Sequence, residues 1–135
     1  MKALICERPG RLTYTDRAKP RLEVGHALLR IRRVGVCGTD LHAFEGRQPF
    51  FSYPRILGHE LAAELVDADG ATGFAVGEAL TFLPYFSCHR CIACRTGQAN
   101  CCEYIQVAGV HVDGVMVEYL SVPSSALVQG QGLSL

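Results

Sequence analysis

Four cysteines in one short segment constrain the fold of this chain more than any other feature. They stand at Cys88, Cys91, Cys94 and Cys102 and follow the pattern C-x2-C-x2-C-x7-C. Two residues between successive cysteines let the chain turn around one ion, and four thiolates satisfy the tetrahedral preference of zinc. Because such a site leaves no position open for a substrate, we predict a structural zinc lobe over about residues 86–104. An iron–sulfur cluster, which four cysteines also suit, and a set of unbound thiols are the alternatives.

The other cysteines and the N-terminal residues favour a reducing compartment. Seven cysteines is an odd number, and the first six residues run directly into Glu7 and Arg8. That opening run is too short for the apolar region of a secretory signal. In a reducing cytosol, thiols stay free or bind metal. We therefore predict a cytoplasmic protein in which Cys6 is a small buried side chain.

The composition limits the class of protein. A length of 135 residues, 49% of them hydrophobic, predicts one globular domain over residues 1–135. The 13 basic and 13 acidic side chains balance, which argues against nucleic-acid binding through a general basic field. The uninterrupted apolar runs are only a few residues long, so we predict no membrane span.

Short strands separated by turns account for most of the sequence. We predict strands over residues 2–6, 11–16, 27–32, 61–68, 79–84 and 115–122. The first two flank Pro9-Gly10, which predicts a hairpin. Apolar and charged residues alternate over 27–32, and the break in this alternation at Arg33-Val34 indicates a bulge.

Only one segment has a helical pattern. Thr39 to Glu45 reads as a helix, with Thr39 as its N-cap and Gly46 as its stop. Many short strands with so little helix predict a mainly β fold, a small barrel or a sandwich with long loops. No G-x-G-x-x-G fingerprint occurs, so no cofactor-binding residue is assigned and no dinucleotide-binding fold is predicted from this chain.

A second group of potential metal ligands is divided between two segments. The first runs from Cys37 to His42, and the second is Gly58-His59-Glu60. A catalytic zinc takes about three protein ligands and keeps a fourth position exchangeable. Cys37 and His59 supply a thiolate and an imidazole. Glu60 is then either a third ligand or a carboxylate behind the ligands.

Three residues of the first segment are candidates for the chemistry around that metal. Asp40 can accept the remaining ring N–H of His59 and fix its tautomer. The hydroxyl of Thr39 can face a metal-bound alcohol, and His42 lies on the same side of a helical turn. This arrangement predicts a proton path from the alcohol through Thr39 and His42 to solvent. Taken singly, Cys37 fits a buried thiol, His59 a core histidine and His42 a surface histidine.

Three motifs of this chain occur together, in this order, in a known family. They are Gly-Val-Cys-Gly-Thr-Asp-Leu-His over 35–42, Gly-His-Glu over 58–60 and the cysteine pattern over 88–102. Shorter stretches over 76–78, 109–114 and 118–123 add to them. With these motifs the chain resembles the zinc-containing medium-chain alcohol and polyol dehydrogenases. The resemblance runs along the whole chain and covers the N-terminal GroES-like catalytic domain of that family.

The resemblance implies a fold and two zinc sites. The fold is a partly open β-barrel with short helices and a zinc-binding lobe, holding one catalytic and one structural zinc. Cys37 and His59 match the catalytic ligands, and Glu60 matches an acidic neighbour that is a direct ligand in the sorbitol-dehydrogenase-like branch. In the ethanol-type branch the third ligand is a cysteine from beyond the end of this chain. Thr39 and His42 match the proton-relay positions, and Asp40 matches the carboxylate that orients the histidine ligand.

The resemblance also implies a reaction. A secondary alcohol, polyol or sugar acid is oxidised to a carbonyl by alkoxide formation on zinc and hydride transfer to NAD or NADP. In this family the cofactor binds a Rossmann domain that follows the catalytic domain and is absent from this chain. We therefore expect no turnover by these 135 residues alone, and a homo-oligomer in the full-length enzyme. The alternatives are a stand-alone zinc-binding domain that self-associates or binds a partner, and a zinc hydrolase using Glu60 as base.

The chain departs from the family pattern at a few positions. Ala63 stands where a glycine is usual, and Val115 stands where a second glycine often follows Asp-Gly. The stretch over 69–71 is about one residue short. These departures predict local adjustments of turns or strand packing, near residue 63 in particular, and remove no ligand. Phe44 and the residues over 49–51 fit either a substrate cleft or packing at the barrel edge.

Overall fold

Strands dominate the structure, a computed structural model that describes residues 1–70, 72–130 and 135. The strands are β1 (Lys2–Arg8), β2 (Arg11–Asp16), β3 (His26–Gly35), β4 (Arg55–Ile56), β5 (Glu60–Ala68), β6 (Ala79–Phe82), β7 (Tyr85–Phe86), β8 (Gln106–Val107), β9 (Tyr119–Pro123) and β10 (Leu127–Gln129). The helices are α1 (Gly38–Glu45) and α2 (Ile92–Arg95), with 3-10 turns at Ala99–Cys101 and Ser124–Ala126. The prediction of a mainly β fold is confirmed. Residue 71, in the shortened stretch over 69–71, lies outside the described residues.

The strands form three antiparallel sheets. The largest has the order β10-β6-β5-β3-β9, the second has the order β2-β1-β4, and β7 pairs with β8. An isolated bridge between Ala3 and Val117 connects the second sheet to the segment that leads into β9. Over the described residues, β10 and β9 are open edges of the large sheet, which agrees with a partly open barrel.

The core lies on one face of the large sheet. Ala27 and Leu29 of β3 are fully buried, whereas Arg30 and Arg32 on the opposite face are exposed. Burying a large apolar side chain of this kind contributes about 1.5–3 kcal/mol. The alternation predicted over 27–32 is therefore confirmed, and it fixes which face of β3 points inward.

The predicted hairpin and bulge are both present. β1 and β2 pair from Lys2–Asp16 to Arg8–Arg11, around a turn in which Gly10 has a φ of 75°. The pairing of β3 with β5 shifts register between Ile31 and Arg33, just before the predicted position.

Two of the predicted strands are too long. The strand predicted over 79–84 ends at Phe82, and the proline at position 84 has no N–H to continue a ladder. The strand predicted over 115–122 begins only at Tyr119. The preceding residues change partners, because residues 114–116 bond to 56–58 and Val117 bridges to Ala3.

The N-cap of α1 is Cys37, so the assignment of Thr39 as N-cap is wrong. The Cys37 Sγ accepts the Thr39 N–H at 3.3 Å, and the Asp40 carboxylate accepts the Cys37 N–H at 3.0 Å. Together these bonds form a capping box with a thiol in place of the usual hydroxyl. Gly46 ends the helix with a φ of 78°, as predicted. The short helix α2 was not predicted.

The two substituted glycine positions fit without strain. Ala63 is fully buried within β5, where it pairs with Ile31 beside the register shift. Its φ is not positive, since His89 is the non-glycine residue with a positive φ among those described. Val115 is fully buried and fills part of the core.

No helix in the described part of the chain has the length and apolar character needed to cross a membrane.

Candidate metal centres

The structure brings the four predicted ligands of the zinc lobe together. They are Cys88, Cys91, Cys94 and Cys102, and their sulfurs all lie within 4.8 Å of one another. The Cys94 Sγ lies 4.0 Å from that of Cys88 and 3.5 Å from that of Cys91. Four sulfurs about 2.3 Å from one zinc ion stand about 3.8 Å apart in a tetrahedron. The cluster therefore has the dimensions and the donor set of a closed zinc site.

Backbone amides point at these sulfurs. Cys102 Sγ accepts the N–H groups of Cys88 at 3.3 Å and of Tyr104 at 3.4 Å. The amide of Arg90 lowers the pKa of Cys88 to about 6, because a hydrogen bond to the sulfur favours its charged form. Burial has the opposite effect on Cys94 and raises its pKa to about 12. The amide of Cys94 likewise lowers the pKa of Cys91, so hydrogen bonds favour the thiolate form at two of the four cysteines.

His89 supports the lobe through its backbone. It has a φ of 55°, in the left-handed region that side chains other than glycine rarely adopt. This conformation directs its amide to Cys94 Sγ, where the hydrogen bond lowers the pKa of that thiol against the larger effect of burial. The side chain of His89 is exposed, and its Nε2 lies 3.3 Å from the Ser87 hydroxyl.

A second candidate centre forms where the chain brings Cys37 next to His59. The Cys37 Sγ lies 3.0 Å from the His59 Nε2, and both side chains are partly buried. Asp40 belongs to the same group, in which one potential ligand atom from each of the three residues lies within 4.8 Å of the others. A thiolate and an imidazole nitrogen facing one point are a donor set that zinc prefers. The residues therefore fit a zinc ion.

Asp40 is placed differently from the expectation. It is only 4% exposed, and its two oxygens accept the N–H groups of Cys37 at 3.0 Å and Gly58 at 2.8 Å. Its distance to the His59 Nδ1 is 3.9 Å, too long for a hydrogen bond. That ring nitrogen is buried and has no hydrogen-bond partner among the residues that the structure describes. Asp40 therefore holds the two segments that carry Cys37 and His59, rather than bonding to the ring itself.

Glu60 stands apart from the Cys37–His59 pair. It is exposed and is not among the groups that converge there. It pairs with Gly35 across the β3–β5 ladder, and its side chain lies over that glycine so closely that a Cβ there would overlap it. The absence of a side chain at Gly35 thus leaves the space that the Glu60 side chain occupies.

The two predicted relay residues lie on α1 beside the pair. Thr39 is half-buried in the first turn, next to the Cys37 sulfur that accepts its amide. His42 is exposed one turn later, with its Nδ1 3.9 Å from the Glu45 carboxylate. The structure therefore places one candidate near the metal ligands and the other at the surface.

Of the aromatic side chains between the two ligand segments, some pack against a core cluster and one is exposed to solvent. Phe44 and Phe51 pack on a small core formed by Cys6, Ala43 and Leu57, while Phe50 is 74% exposed. For Phe44 and Phe51, barrel-edge packing is thus the observed state.

The comparison with protein families decides the class. Residues 23–132 match the family described as the alcohol dehydrogenase GroES-like domain. The chain belongs to this family. The match covers both of the candidate metal centres, so the family resemblance based on the motifs is confirmed.

Similar proteins are dehydrogenases of greater length. The chain is 45% identical over 134 residues to L-galactonate-5-dehydrogenase of Escherichia coli K12, covering 98% of this chain and 39% of that protein. An alcohol dehydrogenase of E. coli CFT073 complexed with NADH superimposes with a TM-score of 0.87 at 32% identity, over 96% of this chain and 38% of the other. A putative zinc-binding dehydrogenase of Sinorhizobium meliloti 1021 bound to NADP gives a TM-score of 0.85 at 32% identity, over 95% and 37%. The chain thus spans about two fifths of the length of these relatives.

Proposed function

We propose that this chain is the catalytic domain of a zinc-dependent NAD(P) oxidoreductase that oxidises a secondary alcohol, a polyol or a sugar acid to a carbonyl. The observation that carries the proposal is the 3.0 Å approach of the Cys37 sulfur to the His59 imidazole in a chain of this family. The similarity to a protein named for L-galactonate, a sugar acid, favours a polyhydroxylated substrate.

Cys37 and His59 hold the catalytic zinc in this proposal, and the exposed Glu60 carboxylate turns from its position over Gly35 to become the third ligand. When bound there, zinc acts as a Lewis acid on the substrate hydroxyl, and the nicotinamide of NAD or NADP receives the hydride. Asp40 keeps the two ligand segments in register through their backbone amides. The four-cysteine cluster holds a structural zinc, because four thiolates leave no position for a substrate.

Thr39 and His42 carry the substrate proton to solvent. Thr39 lies in the first turn of α1, where its backbone N–H donates to the sulfur of Cys37. His42 is three residues further along the helix and exposed, so it can exchange a proton with water.

The cofactor is held by residues outside this sequence. The 135 residues carry no G-x-G-x-x-G fingerprint, while the similar structures bound to NADH and NADP are more than twice as long. Hydride transfer needs the nicotinamide positioned against the substrate. We therefore propose that these residues alone produce no NADH or NADPH from a polyol. We also propose that the full-length protein is a cytoplasmic homo-oligomer.

Zinc stoichiometry tests the proposal directly. Elemental analysis of the 135-residue chain, purified without chelator, is expected to give two zinc ions per chain, and one in the variant Cys37→Ser. The control Cys101→Ser removes an exposed cysteine that lies outside both clusters, and it should keep both ions. Equal zinc contents in the wild-type chain and Cys37→Ser would overturn the assignment of Cys37. Production of NADH by the chain with a polyol would overturn the claim that the cofactor is held elsewhere.

Exposed apolar residues near the candidate site favour a second function. Val36, Leu41 and Phe50 are between 57% and 74% exposed in and beside the segments that carry Cys37 and His59. Apolar surface of this kind promotes association. In this alternative the chain is a stand-alone zinc-binding domain that self-associates or binds a partner. A monomer at high concentration in analytical ultracentrifugation would contradict self-association.

A further inference from the structure

The segment over 109–116 surrounds the residue that precedes His59. Gly58 donates its N–H to Asp40 on one side, and its carbonyl accepts the Val115 N–H at 3.1 Å on the other. Both polar groups of the Gly58 backbone are therefore bonded. The position of His59 depends on these bonds, since it follows Gly58 directly in the chain.

The two residues before Gly58 are held by the same segment. The Ile56 N–H donates to the Asp113 Oδ1 at 3.1 Å, and its carbonyl accepts the Gly114 N–H at 2.8 Å. The Leu57 carbonyl accepts the Met116 N–H at 3.1 Å. Four bonds from the 113–116 segment thus fix the backbone that delivers His59.

Glycines make this close approach possible. A Cβ built on Gly114 would overlap the carbonyl oxygens of Gly58 and Leu57, and one built on Gly109 would overlap the Gly58 backbone. These contacts are backbone to backbone, so no flexible side chain can move away to relieve them. Any side chain at position 114 would therefore have to displace the segment that carries His59.

Asp113 ties this arrangement to the rest of the barrel. Its carboxylate lies 3.1 Å from the Arg17 guanidinium and 3.6 Å from that of Arg55, while also accepting the Ile56 N–H. Arg17 follows β2, and Arg55 begins β4, which pairs with β1. One carboxylate therefore joins the hairpin, β4 and the 113–116 segment.

We propose that Asp113 and Gly114 are positioning residues for His59. They do not contact the donor atoms of Cys37 and His59 or any reacting atom. They act by holding the backbone of residues 56–58 in the conformation that directs the His59 imidazole toward Cys37. The proposal rests on the proposed function, because it gives His59 the role of a metal ligand. Residues that orient ligands from behind typically change metal affinity about 10–100-fold when they are replaced.

Cobalt binding to the chain with its cysteine lobe already filled by zinc tests this role. Cobalt(II) is titrated in and followed by the thiolate-to-cobalt absorption that Cys37 produces. Asp113→Ala and Gly114→Ala are expected to weaken binding about 10–100-fold. Asp113→Asn should weaken it less, because the amide oxygen can still accept the Ile56 N–H. The matched control is Asp69→Ala, which removes a carboxylate that accepts the Gly25 N–H at 2.8 Å in a different loop.

The NMR signals of the His59 ring are measured in the same chains before cobalt is added. They report on the position of the ring without any metal bound to Cys37 and His59. They should move in Asp113→Ala and Gly114→Ala, move less in Asp113→Asn and stay in place in Asp69→Ala. Should Gly114→Ala fail to fold, the two Asp113 variants decide the result. Ring signals and cobalt affinity that match the wild type in the Asp113 variants would overturn the positioning role. A wild-type chain that binds no cobalt would instead overturn the proposed metal site, and the ring signals alone would then decide the positioning role.

Discussion

The sulfur of Cys37 lies 3.0 Å from the Nε2 of His59, although the two residues are 22 positions apart in the chain. Asp40 accounts for this proximity. It is buried, and it accepts the amide of Cys37 with one oxygen and that of Gly58 with the other. One carboxylate therefore joins the start of α1 to the residue before His59. The sequence predicts that Asp40 orients the His59 imidazole, whereas in the structure it orients the two backbone segments that carry Cys37 and His59.

Replacing Asp40 by Asn should destabilise the chain because an amide has only one accepting oxygen. Either the Cys37 N–H or the Gly58 N–H then loses its partner, and an unsatisfied buried group costs about 1–3 kcal/mol. We expect Asp40→Asn to lower the free energy of unfolding by about that amount, measured by urea titration with zinc present. Asp16→Asn is the control, since Asp16 is exposed and pairs with the exposed Lys2, and it should change stability by at most about 0.5 kcal/mol. Equal urea midpoints for the two variants would show that the bridge is not needed.

Val115 should stabilise the fold although it stands where the family often has glycine. It is fully buried in the main core, and one of its methyl groups packs next to Gly58. Val115→Ala removes two methyl carbons and leaves a cavity, so we expect a loss of about 1–3 kcal/mol in unfolding free energy. Val76→Ala is the matched control, because Val76 is 73% exposed. A loss no larger than that of the control would mean that the core closes around the missing methyl groups.

The backbone of His89 should matter more to the cysteine lobe than its side chain does. Glycine adopts a φ of 55° without strain, whereas a β-branched residue in this region is an outlier. We therefore expect His89→Gly to retain zinc as well as the wild type. His89→Val should release zinc faster, because its backbone tends to leave this conformation and withdraw the amide from the Cys94 sulfur.

A colorimetric chelator that competes for the lobe zinc measures these two rates. The comparison is made in the Cys37→Ser background, so that only one metal site is observed. Faster release from His89→Gly than from His89→Val would reverse the expected order. Release that is equally fast from both variants, and faster than from the wild type, would instead show that the imidazole keeps the lobe closed through its 3.3 Å contact with the Ser87 hydroxyl.

The sequence predicts this molecule best where the chemistry is local. The four lobe cysteines lie within one turn-rich segment, so their spacing alone brings them together. The alternation in β3 likewise needs no knowledge of the rest of the fold. The capping role of Cys37 was missed because a thiol is an uncommon cap and Thr39 offers the usual hydroxyl. The late start of β9 was missed because residues 114–116 bond to 56–58, a contact that no local pattern reveals.

The position of Glu60 shows the same limit. Its place next to His59 in the sequence suggests a shared site, but successive side chains of a strand point to opposite faces. Glu60 begins β5 and lies over Gly35, whereas the Cys37 sulfur faces the imidazole. Sequence neighbours at the start of a strand thus need not converge on one metal.

Glu60 is the proposed third ligand once its exposed carboxylate turns from Gly35 toward the Cys37–His59 pair, and its removal tests this. Glu60→Ala should leave the cysteine lobe filled and lower the zinc content from two ions per chain to one. Two ligands alone fall short of the three protein ligands that catalytic zinc sites typically use. Glu64→Ala is the matched control on the same strand, since Glu64 contacts Arg32 at 3.5 Å and lies outside both metal clusters.

Two zinc ions in Glu60→Ala would exclude Glu60 as an essential ligand and leave Asp40 as the carboxylate closest to the Cys37–His59 pair. Because Asp40 already accepts two backbone amides, binding metal through it would require one of those bonds to open, and we therefore expect the single-zinc result.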